Sequence, residues 1–100
     1  MKARRPKSRA LLYARTRAAY GDDAQLEMVV EECGELVVAL QHRKRGRGSD
    51  EAVDELADAI IMTEQARVIL GADAVDAAIA RKLARLDERV TKHELGSVKA

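Results

Sequence analysis

The sequence predicts an all-α fold: four helices packed antiparallel into a bundle that oligomerisation completes. Three observations lead there. Apolar residues recur at intervals of three and four along most of the chain, and no stretch alternates as a half-buried strand would. The hydrophobic share, 47%, contains no Phe or Trp and only two Tyr, so the core is built from Ala, Leu, Val and Ile. Such a core suits close-packed helices better than a β-sandwich. Glycines punctuate the periodic stretches, as short links require. One hundred residues make a single small domain, which buries a modest fraction of its surface, and self-association is therefore expected.

Residues 1–7 read as a basic flexible tail. Ser8 is placed to cap a first helix that reaches about Tyr20, with Leu11, Leu12, Arg15 and Ala18 or Ala19 at helical spacing. Gly21 breaks it. A second helix begins at Asp22 or Asp23 and carries Leu26, Val29, Val30, Cys33, Leu36, Val37 and Leu40 on its apolar stripe. It ends near Arg43–Arg45, where basic side chains and His42 suit the negative end of the helix dipole. After the hinge "RGRGS", Ser49 is placed to cap a third helix that stops at Gly71. From Leu56 to Leu70 this helix is apolar on most of its circumference, so several neighbours should enclose it, including some from a second subunit. Asp73 is placed to cap a fourth helix through roughly His93, with Val75, Ala78, Ile79, Leu83, Leu86 and Val90 facing inward. Residues 96–100 read as a frayed end, which leaves 8–95 as the helical domain.

The net charge of +1 conceals an asymmetry. Lys2, Arg4, Arg5, Lys7, Arg9, Arg15 and Arg17 precede every one of the 17 acids, so the body of the chain is net acidic. A basic arm can touch phosphates, but a nucleic-acid partner needs a wider basic face than the helices supply, and a solvated tail is the expectation. Cys33 is the only cysteine, which excludes an intrachain disulfide and suits a reducing cytoplasm. Its place on an apolar stripe predicts a buried, inert thiol. No apolar run approaches a membrane span, and the N-terminus lacks the apolar core of a signal peptide.

The acids carry the chemistry. Glu32 and Glu35 stand three apart on the second helix, and Glu55 and Asp58 three apart on the third, so each pair shares a face. The line through Glu32 and Glu35 continues to Met28 and Ala39. The line through Glu55 and Asp58 continues to Glu51, Met62, Gln65 and Ile69. These acids therefore interrupt faces that turn apolar within a turn. A short hinge folds the two helices antiparallel and brings the pairs level to within about one turn. Four converging carboxylates repel one another and take up protons unless a hard divalent cation joins them. Spacing alone leaves that site in balance with ordinary solvated acids paired to Arg and Lys.

The motifs "EECGE" and "DELAD" resemble the E-x-x-E, hinge, E-x-x-D signature of the all-α nucleoside triphosphate pyrophosphohydrolases of the MazG type. That superfamily also includes dimeric dUTPases and phosphoribosyl-ATP pyrophosphatase. "YGDDAQLEMVVEECGELVVAL" and "VDELADAIIMTEQARVILG" are similar to the MazG-like branch in wording as well as spacing, over roughly residues 20–90. The resemblance implies a MazG-like helical bundle, a homodimer or homotetramer in the cytoplasm. It implies Mg²⁺-dependent hydrolysis of a nucleoside triphosphate between the α and β phosphates, with Mn²⁺ as a substitute cation and nucleotide-pool house-cleaning as a role. The products are a nucleoside monophosphate and pyrophosphate. Glu32, Glu35, Glu55 and Asp58 match the metal-binding acids, and Glu31 and Glu51 stand behind them to orient ligands or water. Either Glu35 or Glu32 is the catalytic base that accepts the proton of the attacking water.

The family pattern K-x-x-x-N-x-x-R on the last long helix is matched by Lys82 and Arg89, with Leu86 in place of Asn. That departure weakens the implied contact to sugar or phosphate. Arg85 is a further substrate-binding candidate, as is Arg43 with Lys44, Arg45 and Arg47 of the hinge. Tyr13 and Tyr20 are the only aromatics able to stack on a base, and packing is the commoner role of each. Gly34 lies between the acids, where it costs about 1 kcal/mol relative to Ala. It gives room either to a neighbouring helix or to a ligand. Two alternatives stand beside the leading expectation. A phosphoribosyl-ATP pyrophosphatase-like enzyme lacks support because "DAIIMTEQ" replaces that family's aromatic–His pair. A non-catalytic helical oligomerisation or binding protein would keep the stripes and have no need of the acids.

Overall fold

The computed structural model describes residues 8–99, together with the side chains of 8–97 apart from residue 49. The expected tail over 1–7, the side chain of the expected cap Ser49 and the terminal Ala100 lie outside the described residues. Among those described, the chain is all-α, with four helices and no strand: α1 (Arg9–Tyr20), α2 (Asp22–Lys44), α3 (Ser49–Leu70) and α4 (Ala72–Lys99). The chain divides into two compact units, one ending at Ile69 and the other beginning at Leu70, so the boundary falls inside the span 8–95 read above as one domain.

In the first unit, glycine geometry sets the joints. Gly21 has φ 85°, a conformation that L side chains rarely adopt, and it serves as both the end of α1 and the start of α2. Its N–H closes α1 on the Arg17 carbonyl at 2.9 Å. The Arg17 guanidinium spans the joint to Asp22 with contacts of 2.6 and 3.0 Å. That partner holds the Asp22 carboxyl below its usual range. Ser8 stands at the N-cap of α1 but makes no side-chain capping bond, contrary to expectation. Between α2 and α3, Gly48 has φ 66°, and a Cβ there would meet Glu51 Oε2 at 2.7 Å. Glycine is needed for its φ, since the exposed Glu51 side chain can swing away from a Cβ. The His42 ring then reaches Glu51 across the hinge at 3.2 Å.

The core is small and built mainly of alanine. Tyr13, Ala39, Ala52, Ala59 and Ala66 are buried, and no large side chain is fully enclosed. Ala52, Ala59 and Ala66 recur every two turns along α3, a period that keeps them on one face. Their small side chains let neighbouring helices approach closely. On α2, Gln25 and Ala39 are buried, and each stands two turns from Glu32. Helix α1 is tied to α3 by polar contacts: Arg9 to Glu64 at 2.8 Å, the Tyr13 hydroxyl donating to Glu64, and the Thr16 hydroxyl donating to Gln65 Oε1 at 2.6 Å. Burial and the adjacent Glu64 carboxylate push the Tyr13 phenol up. Tyr13 is thus a packing residue.

Much of the expected apolar stripe is exposed. Leu26, Val29, Cys33 and Leu36 are half-buried on α2, whereas Val30, Val37 and Leu40 face outward. Cys33 is accordingly half-buried and not enclosed, a correction to the buried thiol expected. In the second unit, α4 carries Val75 and Ala78 half-buried, but Ile79, Leu83, Leu86 and Val90 are exposed instead of facing inward. Helix α4 also continues past the expected end near His93 to Lys99. Gly96 does not break it, and the Ser97 hydroxyl donates back to the His93 carbonyl at 3.1 Å, following the helical turn.

Ala39 has no exposed surface. Enlarging it to Leu should overpack the helix contact and lower stability by about 1–3 kcal/mol. Val30→Leu, at a position 74% exposed, should leave the urea unfolding midpoint almost unchanged.

Candidate metal and triphosphate site

Helices α2 and α3 run antiparallel, as the pairing of His42 with Glu51 and of Glu32 and Glu35 with Glu55 requires. Glu32 lies between the buried residues Gln25 and Ala39 of α2, and Glu55 lies between Ala52 and Ala59 of α3. Both acids therefore occupy the packed seam, where a helix pair ordinarily places apolar side chains. Glu35, one turn from Glu32, is exposed at the edge of the same face.

The three carboxylates converge. Glu32, Glu35 and Glu55 each offer an oxygen, and these oxygens all lie within 4.8 Å of one another. Glu32 Oε2 and Glu55 Oε2 are buried without a hydrogen-bond partner. Leaving such atoms unsatisfied is costly, and for a carboxylate oxygen more so than for a neutral group. Desolvation is the largest influence on Glu32 and raises its pKa, and the charges of Glu35 and Asp58 raise it further. Desolvation likewise raises Glu55, reinforced by Glu35, Asp58 and Glu32. No cationic side chain is among the causes acting on either acid. Glu64 gives the contrast: the Tyr13 hydroxyl and Arg9 hold it below its usual range.

Asp58, expected as the fourth ligand, does not join the trio. It is exposed because it precedes the seam residue Ala59, which turns its side chain away from the seam by about a quarter turn. Its charge is still felt by Glu32 and Glu55. Glu31 and Glu51, expected behind the ligands, line a cavity of about 350 Å³ together with Gly34, Glu35, Val38 and Glu55. Glu51 is held there by His42. A Cβ added to Gly34 would meet nothing within 4 Å. No neighbouring helix requires the glycine, so its effect is to keep the cavity wall low beside Glu35. Arg43 is exposed in the last turn of α2, and Lys82, Arg85 and Arg89 are exposed along α4.

Two buried side chains escaped the motif-based reading. Gln25 and Gln65 are 5% and 7% exposed and line a cavity together with Tyr13, Arg17, Val68 and Ile69. Their signal in the sequence was positional: Gln25 precedes Glu32 by two turns, and Gln65 interrupts the apolar length of α3.

The trio fits a hard cation. Its donors are all carboxylate oxygens, two of them buried and unpartnered, and the adjoining cavity leaves space for water or phosphate oxygens. This donor chemistry does not select one hard divalent ion over another. Compared with known proteins, the chain matches no family model, no curated protein and no solved structure.

Because the folded-state pKa values of Glu32 and Glu55 are raised, the folded protein binds protons more tightly than the unfolded chain. Their contribution to stability is full below the ordinary carboxylate pKa and is lost as pH rises through the raised values. Glu32→Gln should therefore raise the melting temperature of metal-free protein near pH 7.5, with the gain vanishing below the ordinary carboxylate pKa. Mn²⁺ added at pH 7.5 should stabilise the parent more than E32Q.

Proposed function

We propose that the chain is a Mg²⁺-dependent nucleoside triphosphate pyrophosphohydrolase of the MazG-like type, cleaving between the α and β phosphates. One observation carries this reading: Glu32, Glu35 and Glu55 meet on the α2–α3 seam with two buried carboxylate oxygens unpartnered. A protein that used these helices only for packing would be better served by apolar residues at Glu32 and Glu55. Mn²⁺ is expected to replace Mg²⁺.

A bound Mg²⁺ supplies charge neutralisation for the triphosphate and acidifies water at the site. Glu32 and Glu55 would hold it from the seam, with the phosphate chain in the adjoining cavity. Glu35 is exposed and lines the cavity, so it has access to an attacking water that Glu32 Oε2, buried, lacks. Glu35 takes the proton of that water as the oxygen attacks phosphorus. The α–β bridging P–O bond breaks, and monophosphate and pyrophosphate leave. Glu31 and Glu51 border the same space and orient water, with His42 keeping Glu51 in place. Asp58 adds negative charge that strengthens cation binding without ligating directly. Within the same unit, Arg43 is the candidate cation for the triphosphate.

Glu35→Gln should reduce pyrophosphate release from nucleoside triphosphates by roughly 10²–10⁴-fold with the helical content retained. Equal release by parent and variant would remove Glu35 from the chemistry.

We further propose a homodimer or homotetramer in the cytoplasm. The chain exposes Leu11, Val30, Val37, Val53, Leu70 and Leu83, each more than half accessible. Large apolar side chains exposed in this number favour burial against a second copy of the chain. Sedimentation velocity should give a dimer or larger species, and a monomer at assay concentration would contradict it.

A further inference from the structure

We propose, building on the nucleotide hydrolysis set out above, that a cavity of about 510 Å³ next to the acidic one receives the nucleobase, and that the Gln25 carboxamide reads the base's hydrogen-bonding edge. The two cavities share Glu31 in their walls, so a ligand whose phosphates lie at Glu35 can continue into the second. The volume is within the ordinary range for small-molecule sites, and Met28 and Met62 give it soft apolar sides. Tyr20, 70% exposed, stands at the cavity with its ring free to stack.

Gln25 and Gln65, both more than nine-tenths buried, are the enclosed polar side chains of this cavity, while Thr16, Glu27 and Glu31 line it less deeply. They are held differently. Gln65 Oε1 accepts from the Thr16 hydroxyl at 2.6 Å, and its Nε2 lies 3.4 Å from both the Ile61 carbonyl and Met62 Sδ. Gln65 is thus committed to the protein and is a positioning residue for Thr16. The Gln25 side chain donates one long bond, 3.4 Å from Nε2 to the Thr16 carbonyl. Its second N–H and its Oε1 remain for a ligand. A carboxamide 5% exposed and held by one long bond keeps most of its hydrogen-bonding capacity facing the cavity. A base edge with an adjacent donor and acceptor satisfies both groups at once, as Asn and Gln do on adenine.

The test measures kcat/KM for pyrophosphate release from the four common nucleoside triphosphates and from ribose 5-triphosphate, using parent, Q25L and Q25E proteins. In Q25L the advantage of the preferred nucleotide over ribose 5-triphosphate should shrink by roughly 5- to 150-fold, mainly through KM. Q25E presents two acceptors, and preference should move toward guanine, whose N1–H and N2–H are adjacent donors. Independently of turnover, nucleoside monophosphate should shift the methyl NMR signals of Met28 and Met62 in the parent and do so more weakly in Q25L. Base preference unchanged in both variants, with an active parent, overturns this assignment and leaves the hydrolase reading intact. So does a Q25L protein whose oligomeric state changes while its base preference does not. A parent that releases pyrophosphate from no nucleotide, but whose methionine signals respond to nucleoside monophosphate, keeps the base pocket and removes the hydrolase. If neither occurs, both fall.

Discussion

The α2–α3 seam carries carboxylates where a helix pair ordinarily carries apolar side chains, and the chemistry of the molecule depends on that constraint. Gln25, Glu32 and Ala39 follow one another at two-turn intervals on α2, while Ala52, Ala59 and Ala66 do so on α3 with Glu55 among them. Packing therefore forces Glu32 and Glu55 together whether or not their charges tolerate it. Burial removes water from one oxygen of each and raises both pKa values. Such a pair stores unfavourable free energy that a cation can release, and binding is then strengthened by what the empty arrangement lacks.

The surroundings favour that use. Small alanines keep the helices close, Gly48 lets the hinge turn tightly against Glu51, and Gly34 leaves the wall open beside Glu35. On the other flank of α3, Glu64 shows how the same protein treats an acid meant for structure: Arg9 and the Tyr13 hydroxyl satisfy it, and its pKa falls. Two acids of the same type, on the same helix, thus carry opposite shifts because Glu64 has hydrogen-bond donors, whereas Glu55 is desolvated and has carboxylates beside it.

Much of this was legible in the sequence. Helical spacing and the glycines located the four helices, and the three-residue intervals placed Glu32, Glu35 and Glu55 on facing surfaces. Asp58 falls outside the close trio, yet near enough for its charge to act on Glu32 and Glu55, because a three-residue interval fixes a shared face only to within part of a turn. The heptad of alanines shows that Ala59, beside it, takes the buried position. The inward stripe of α4 was read from periodicity, which reveals that a helix has an apolar face but not what covers it. The extension of α4 through Gly96 was missed because a single glycine costs only about 1 kcal/mol in a helix interior. Gln25 and Gln65 were passed over because a lone carboxamide has no motif, and its burial emerges only from three-dimensional packing.

The central claim is that the seam acids share one cation. Diffraction from crystals soaked in Mn²⁺, with anomalous data collected for manganese, tests it most directly. The account predicts a single strong anomalous peak at bonding distance from oxygens of Glu32 and Glu55, with Glu35 beside it, absent from E55Q crystals treated identically. Crystals of the parent protein with no peak between those side chains, or with manganese bound only elsewhere, would contradict it.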